Sequence, residues 1–271
     1  MSTRLFEGNE HAYCYQKYRF LPPQEVQDMI CSYLGEKLTN PYGLAVDVGC
    51  GSGQGTRILA PYFEMVLGTD ISEAQIEEAK KEAGLSNVTF RVTPAEDIPV
   101  DNASVDLITA FCAVHWFNVE KFLKEVDRAL KPHGCLALFS YLLCMDVHYK
   151  NQSEQMSKVY TEVQDFLQQY EHEKVQHVRT SYKEIFEVIP YKDKKRIDGI
   201  VTKITMTLAE FMGFIQTLSM FQTFHRCEPE KAKNFIKTTE QRFLEIMKVS
   251  SNETKIEVWS RNVLLLASKP K

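Results

Sequence analysis

The chain has 271 residues, 44% of them hydrophobic and 25% charged, with a formal net charge of −4. A chain of that length buries roughly three quarters of its unfolded surface without needing staples, and about 150 residues per domain leaves either two domains or one α/β domain with a cap. The acidic balance argues against a dedicated nucleic-acid binder, no apolar run reaches the roughly 18 residues that span a bilayer, and the seven scattered cysteines form no CxxC pair, as expected of reduced cytosolic thiols.

In chain order, residues 1–7 lack the charged-then-apolar pattern of a signal peptide, so a cytoplasmic protein is expected. Tyr13, Tyr15, Tyr18, Arg19 and Phe20 then crowd into eight positions. Pro22 and Pro23 open a predicted helix running to Gly35, with Val26, Ile30 and Leu34 on one face. After a turn at 40–43 the chain alternates strand and helix. Strands are predicted at 44–48, 65–69, 88–92, 105–110 and 135–140, and helices at 53–60, 72–83 and 119–130. Ser72 and Asn118 are the expected N-caps, and 131–134 a turn. Five β/α units with short connections predict a parallel sheet covered by helices on both faces.

The pattern changes after Leu142. Residues 150–190 are polar and helical without strand alternation, so they read as an inserted cap. A strand at 200–206, helices at 208–221 and 229–249, and a closing strand at 256–268 complete the chain. The expected architecture is α/β: a Rossmann-like, mostly parallel seven-stranded sheet with a helical cap. It forms one domain over 1–271, divided into an N-terminal covering segment (1–40), a core (41–141), the cap (142–200) and closing elements (201–271).

The sharpest feature is Asp47-Val48-Gly49-Cys50-Gly51-Ser52-Gly53-Gln54, directly after the first strand and opening a helix. Glycines there permit a tight turn and close approach of a ligand. Asp70, at the end of strand two, is placed to accept both hydroxyls of a ribose. No register of the loop gives GxGxxG, and there is no GxxxxGK[ST], which disfavours a dinucleotide and a phosphate cradle. Asp47 suits a ligand carrying positive charge, met directly or through water. S-adenosylmethionine, with an ammonium, a sulfonium and no phosphate, fits those conditions.

The stretches 46–53 and 68–72 resemble the first two motifs of class I S-adenosylmethionine-dependent methyltransferases. Ala95-Glu96-Asp97-Ile98-Pro99 resembles their third motif, which meets the adenine, although Pro94 stands where many relatives carry an acid. Residues 129–135 resemble the turn before their fifth strand. Tyr15, Arg19, His115-Trp116-Phe117 and 254–258 resemble the trans-aconitate methyltransferases more narrowly. The resemblance implies that Tyr15 and Arg19 fold over the cofactor and hold its carboxylate, for which a guanidinium fork is suited. Gly49, Gly51, Ser52, Gly53, Gln54, Asp70, Ile71, Ala95, Glu96, Asp97, Phe111 and Cys112 complete the expected cofactor set with Asp47.

His115, after strand four, is the candidate catalytic residue at the rim where an acceptor enters; a structural hydrogen-bonding role is the competing reading. Phe211, Phe214, Met220, Phe221 and Phe224 fit either an acceptor pocket or helix packing, and 192–196 (Lys-Asp-Lys-Lys-Arg) reads as a solvated loop. The histidines and cysteines show no zinc-type spacing, so no metal is expected. The expected activity is methyl transfer to a small-molecule acceptor, a carboxylate by resemblance. A phenol, thiol or amine acceptor and a non-catalytic nucleoside-binding or partner-binding module are the alternatives. A monomer or weak homodimer acting on neither nucleic acid nor membrane is expected.

Overall fold

A computed structural model describes residues 8–82 and 84–271. Residues 1–7, read above for a targeting signal, and Ala83, read as the end of a helix, lie outside the described residues. The strands are β1 (Tyr42–Val48), β2 (Phe63–Asp70), β3 (Val88–Val92), β4 (Val105–Phe111), β5 (Leu130–His148), β6 (Asp193–Thr207) and β7 (Lys255–Ser268). They form one sheet in the order β3-β2-β1-β4-β5-β7-β6. Neighbours from β3 to β5 are parallel, and only β7 runs against its neighbours β5 and β6.

Side chains alternate between the faces of the sheet, as the pleat requires. Val46, Ile108, Leu136, Leu138 and Leu265 enter one buried cluster, and Ala45, Leu107, Ala137, Leu264 and Leu266 the other. The first face is covered by α5 (Val119–Ala129) and the second by α2 (Gln24–Gly35), whose Val26, Ile30 and Leu34 are buried as the spacing predicts. The remaining helices of this half are α1 (Asn9–Tyr18), α3 (Gln54–Leu59) and α4 (Glu73–Lys81). Ser72 and Asn118 cap α4 and α5, accepting from the N–H groups of Gln75 and Lys121.

Beyond the core lie α6 (Ser153–Leu167), α7 (Gln176–Arg179), α8 (Lys183–Val188), α9 (Leu208–Thr217), α10 (Ser219–Cys227) and α11 (Pro229–Met247). Helices α6, α9, α10 and α11 share a third buried cluster with Met145, Val147, Ile256 and Val258 from the far ends of β5 and β7.

The elements differ from expectation in four places. β5 starts at Leu130, which pairs with Val105 of β4, passes the expected turn at 131–134 with His133 left-handed at φ 66°, and runs on to His148 because β7 pairs with it as far as Glu257. The helical insertion therefore starts after the strand. The charged run at 192–196 is not a solvated loop, since Asp193 to Arg196 open the edge strand β6 and pair with β7. Lys194 there donates to the carbonyls of Phe186 and Ile189, at 2.8 and 2.9 Å. The expected helix at 208–221 is two helices, broken at Leu218 with an extended ψ of 137°. Finally, α1 forms where no element was predicted. Its Tyr18 seats on Gly213 of α9, where a Cβ would stand 2.7 Å from the ring.

Candidate functional site

The first strand of the chain sits mid-sheet, with β2 on one side and β4 on the other. The connections leave in opposite directions there, and the crevice at the carboxyl ends is the natural place for a ligand. β1 ends on Asp47 and Val48, and the chain turns through residues 49–53 into α3. Gly49, Gly51 and Gly53 have φ of 69°, 54° and 81°. A Cβ on Gly49 would come within 2.6 Å of Ala113 Cβ, and one on Gly53 within 2.6 Å of the Phe90 ring. Both positions need glycine for conformation and for room.

Asp47 is 1% exposed. It accepts from Thr56 Oγ1 at 2.7 Å and from Thr109 Oγ1, its register partner on β4, at 2.9 Å. Burial lifts its pKa to about 7 against the pull of those two hydroxyls. The carboxyl group ties β1 to β4 and α3 and stands on the crevice floor, poised between neutral and charged.

Asp70 closes β2. Its two oxygens accept from the N–H groups of Gly51 and Ser72, at 2.9 and 2.8 Å. Burial raises its pKa, opposed by the N–H groups of Ser72, Gly51 and Ile71. Next to it, Ile71 is half exposed, as is Val92, the register partner of Asp70 on β3. Around the loop, Ser52 Oγ, Thr69 Oγ1 and Gln75 Oε1 are buried without a hydrogen-bond partner among the described residues.

Helix α1 lies across this loop. Gln54 donates to the carbonyl of Gln16, and the Tyr15 ring passes Gly51. The Arg19 guanidinium stands over the ring of Tyr15 at 4.7 Å and near those of Tyr141 and Phe214 at 5.6 and 5.7 Å. Its Nη2 donates to the Thr217 carbonyl at 2.8 Å, a group released by the break between α9 and α10. Its Nε is buried and unpartnered, and no carboxylate of the described residues pairs with it. Burial raises the pKa of Tyr15 while Arg19 opposes the rise.

Two small cavities, about 40 and 50 Å³, meet at Tyr15, Arg19, Cys112 and Tyr141. The first reaches Asp47, Gly49, Cys50, Gln54 and Phe111. The second reaches His115, Ser140, Val175, Val178 and Leu218, with walls from the cap and from α10. Cys112 stands between them with a positive φ of 55°, its thiol pushed up to about 12 by burial. His115 is buried, and its Nδ1 is 2.7 Å from the hydroxyl of Tyr182. Burial, then His177, Arg19 and Lys174, lower its pKa to about 3, so the ring is neutral at pH 7.

The third motif lies at the rim. Ala95 is buried. Glu96 accepts from the N–H of Asn118 at 2.6 Å, which leaves Asp97 as the exposed carboxylate of the pair. A groove of about 820 Å³ between α5 and α8 includes none of these residues. Among the described residues no helix is long and apolar enough to cross a membrane, and no three His, Cys, Asp or Glu cluster as a metal site.

The crevice thus gathers Tyr15, Arg19, Asp47, Gly49, Gly51, Ser52, Gly53, Gln54, Asp70, Phe111 and Cys112, with His115 one cavity further on and Ile71, Glu96 and Asp97 toward solvent. Sequence reasoning missed Ser140, Tyr141 and Tyr182. Tyr141 was findable as the aromatic residue that follows the apolar run of β5; Tyr182 carried no signal, since only the tertiary fold of the cap brings it to His115. The aromatic set at 211–224 divides: Phe211, Phe214, Phe221 and Phe224 pack the third cluster, while Met220 also reaches the second cavity.

Residues 46–138 match a family model described as a methyltransferase domain. A Dictyostelium discoideum protein carrying a methyltransferase name is 42% identical over 127 residues, which is 47% of this chain and 46% of that protein. A Saccharomyces cerevisiae protein named as an S-adenosylmethionine-dependent methyltransferase is 28% identical over 210 residues, 69% of this chain and 72% of its own length. The aligned stretch spans about half the Dictyostelium relative. A solved structure described as a type II methyltransferase from Anaeromyxobacter dehalogenans superposes with a TM-score of 0.72 at 25% identity, over 94% of this chain and all of that one. Phosphoethanolamine N-methyltransferase 2 of Haemonchus contortus, solved with phosphomonomethylethanolamine and S-adenosylhomocysteine, shares the fold at TM-score 0.53 and 18% identity, over 97% of this chain and 58% of that one.

Proposed function

We propose that this chain, whose core is a class I methyltransferase domain, binds S-adenosylmethionine in the crevice and methylates a small-molecule carboxylate to its ester. In this reading it works in the cytoplasm as a monomer or weak homodimer, with neither nucleic acid nor membrane as partner. The unpartnered buried oxygens of Ser52, Thr69 and Gln75 and the unpartnered Arg19 Nε favour a polar, partly anionic ligand. The tight glycine turn at Gly49, Gly51 and Gly53 favours close backbone approach. Cavities of this size hold a few waters, so only the ligand's tail is enclosed and its nucleoside lies along the rim.

Asp70 takes the ribose hydroxyls, Ile71 and Val92 offer apolar contact to the base, and Ala95 with Glu96 or Asp97 meets its edge. Tyr15, Arg19 and Gln54 cover the methionine portion, Arg19 holding the carboxylate, and Asp47 faces the ammonium directly or through water. Phe111 and Cys112 line the passage toward the second cavity. The bound cofactor supplies a methyl group on a cationic sulfur: the methyl–oxygen bond forms as the methyl–sulfur bond breaks, the electron pair stays on sulfur, and no proton has to move. The protein's contribution is then alignment and exclusion of water.

One observation carries the carboxylate reading. The second cavity presents Arg19, His115 and the unpartnered hydroxyl of Tyr141, has no acidic side chain of the described residues in its wall, and holds its histidine at about pKa 3. Such a ring is a weak base at neutral pH, whereas a carboxylate acceptor is already ionised. The resemblance to trans-aconitate methyltransferases points to the same acceptor class. The test is incubation with methyl-labelled cofactor and a panel of small acids, phenols, thiols and amines. Label should enter acids as alkali-labile esters. Label confined to phenols, thiols or amines would overturn the acceptor assignment, and no transfer at all would favour the binding module.

A further inference from the structure

Tyr182 of the cap is buried against His115, behind the second cavity. Ser181 and Tyr182 are both left-handed, with φ of 52° and 55°, and this double turn drives the Tyr182 ring inward ahead of α8 until it is fully buried. Non-glycine residues keep such a conformation only when their surroundings enforce it. The ring ends with its hydroxyl 2.7 Å from His115 Nδ1, the ring centroids 5.8 Å apart. Eight residues earlier Lys174 donates to the carbonyl of Trp116, and Val175 and Val178 form part of the cavity wall, so the cap also holds the loop next to His115.

We propose that Tyr182 is a positioning residue which holds His115 as its Nε2–H tautomer and so presets the acceptor cavity for an anionic oxygen rather than a hydroxyl group. At 2.7 Å the pair makes a full hydrogen bond, in which, on this proposal, the phenol is the donor and Nδ1 the acceptor. Burial and Cys112 raise the Tyr182 pKa well above its ordinary value against the pull of a Ser140 hydrogen bond, so the phenol keeps its proton. The Ser140 hydroxyl, also in the cavity wall, donates to the Tyr141 carbonyl at 3.0 Å. With Nδ1 committed to Tyr182, Nε2 is the ring atom left for the cavity, and there it can only donate. The charged and titratable groups acting on His115 are His177, Arg19 and Lys174, and those acting on its partner Tyr182 are Cys112 and Tyr15. No carboxylate is among them to stabilise an imidazolium. The second cavity is then a site for a small carboxylate with a short apolar body, bounded by Val175, Val178 and Leu218. The inference deepens the carboxylate reading above and rests on it for the role of the cavity.

The test is nitrogen NMR of the full chain with labelled histidine, His115 being assigned by loss of its signals in His115→Gln. The expected spectrum is the Nε2–H tautomer, unchanged from pH 8 to pH 5. Tyr182→Phe should mix the two tautomers and move the titration of His115 upward. Propionate should shift the Nε2 resonance, and 1-propanol should not. An Nδ1–H tautomer in the unaltered protein, no response to propionate, or an equal response to propanol would overturn the proposal. The tautomer is read without cofactor, so it stands or falls independently of whether label transfer succeeds.

Discussion

At the scale of single residues, the site depends on two groups whose ordinary chemistry burial has shifted. The folded state holds His115 at about 3, against 6.5 when it is free. Between those values the unfolded chain binds a proton that the folded chain refuses. Its contribution to stability is therefore complete above about pH 6.5 and is lost as pH falls toward 3. At pH 5 the loss amounts to about 2 kcal/mol. Urea unfolding of the wild type and His115→Asn at pH 5 and pH 8 checks this: the wild type should lose about that much more than the variant, and parallel losses would refute it. Asp47 is shifted the other way, from 3.8 to about 7. A cation bound beside it favours the ionised form, so binding releases a proton and affinity rises with pH across neutrality. S-adenosylmethionine titrated at pH 6 and pH 8 should show a rise larger in wild type than in Asp47→Asn, which also removes any titration of the ligand from the comparison. Asp70, Asp47 and the glycines were readable because strand, loop and helix follow one another directly in sequence. The occupation of Asp47 by Thr56 and Thr109 was not, because those partners come from a helix and from a neighbouring strand.

At the scale of elements, local signals succeeded wherever a cap or an apolar period was strong, as in α2, α4 and α5. The break between α9 and α10 had no such signal. Thr217-Leu218-Ser219 contains neither glycine nor proline, and the interruption is used by tertiary contact, with Arg19 taking the Thr217 carbonyl. The charged start of β6 misled for a related reason. An edge strand tolerates lysines that guard it, so charge alone does not separate edge strand from loop. The start of α9 offers a clean test of local reasoning. Thr207 accepts from the N–H of Glu210 at 3.1 Å, while the Glu210 side chain accepts from the Thr207 N–H at 2.7 Å. Thr207→Ala should lower stability by about 1 kcal/mol in urea unfolding; an unchanged midpoint would show that the third buried cluster, not the cap, fixes that helix.

At the scale of the molecule, alternation of strand and helix was enough to predict a parallel sheet of five strands with helices on both faces, since short β/α connections leave few other topologies, and the two strand patterns after the insertion brought the number to seven. The path of the insertion was not predictable. It depends on β5 and β7 extending far enough to carry α6, α9 and α11, while Arg19 and His115 meet at one cavity and Tyr182 of the insertion bonds to His115. The central claim is that the crevice over the glycine loop and Asp70 takes S-adenosylmethionine. Calorimetric titration of the full chain with S-adenosylmethionine and separately with NAD tests it most directly. The expected result is one site for S-adenosylmethionine, weakened by about 1–3 kcal/mol in Asp70→Ala, and no heat of binding with NAD. Binding of NAD alone, or an Asp70→Ala variant with undiminished affinity, would contradict it.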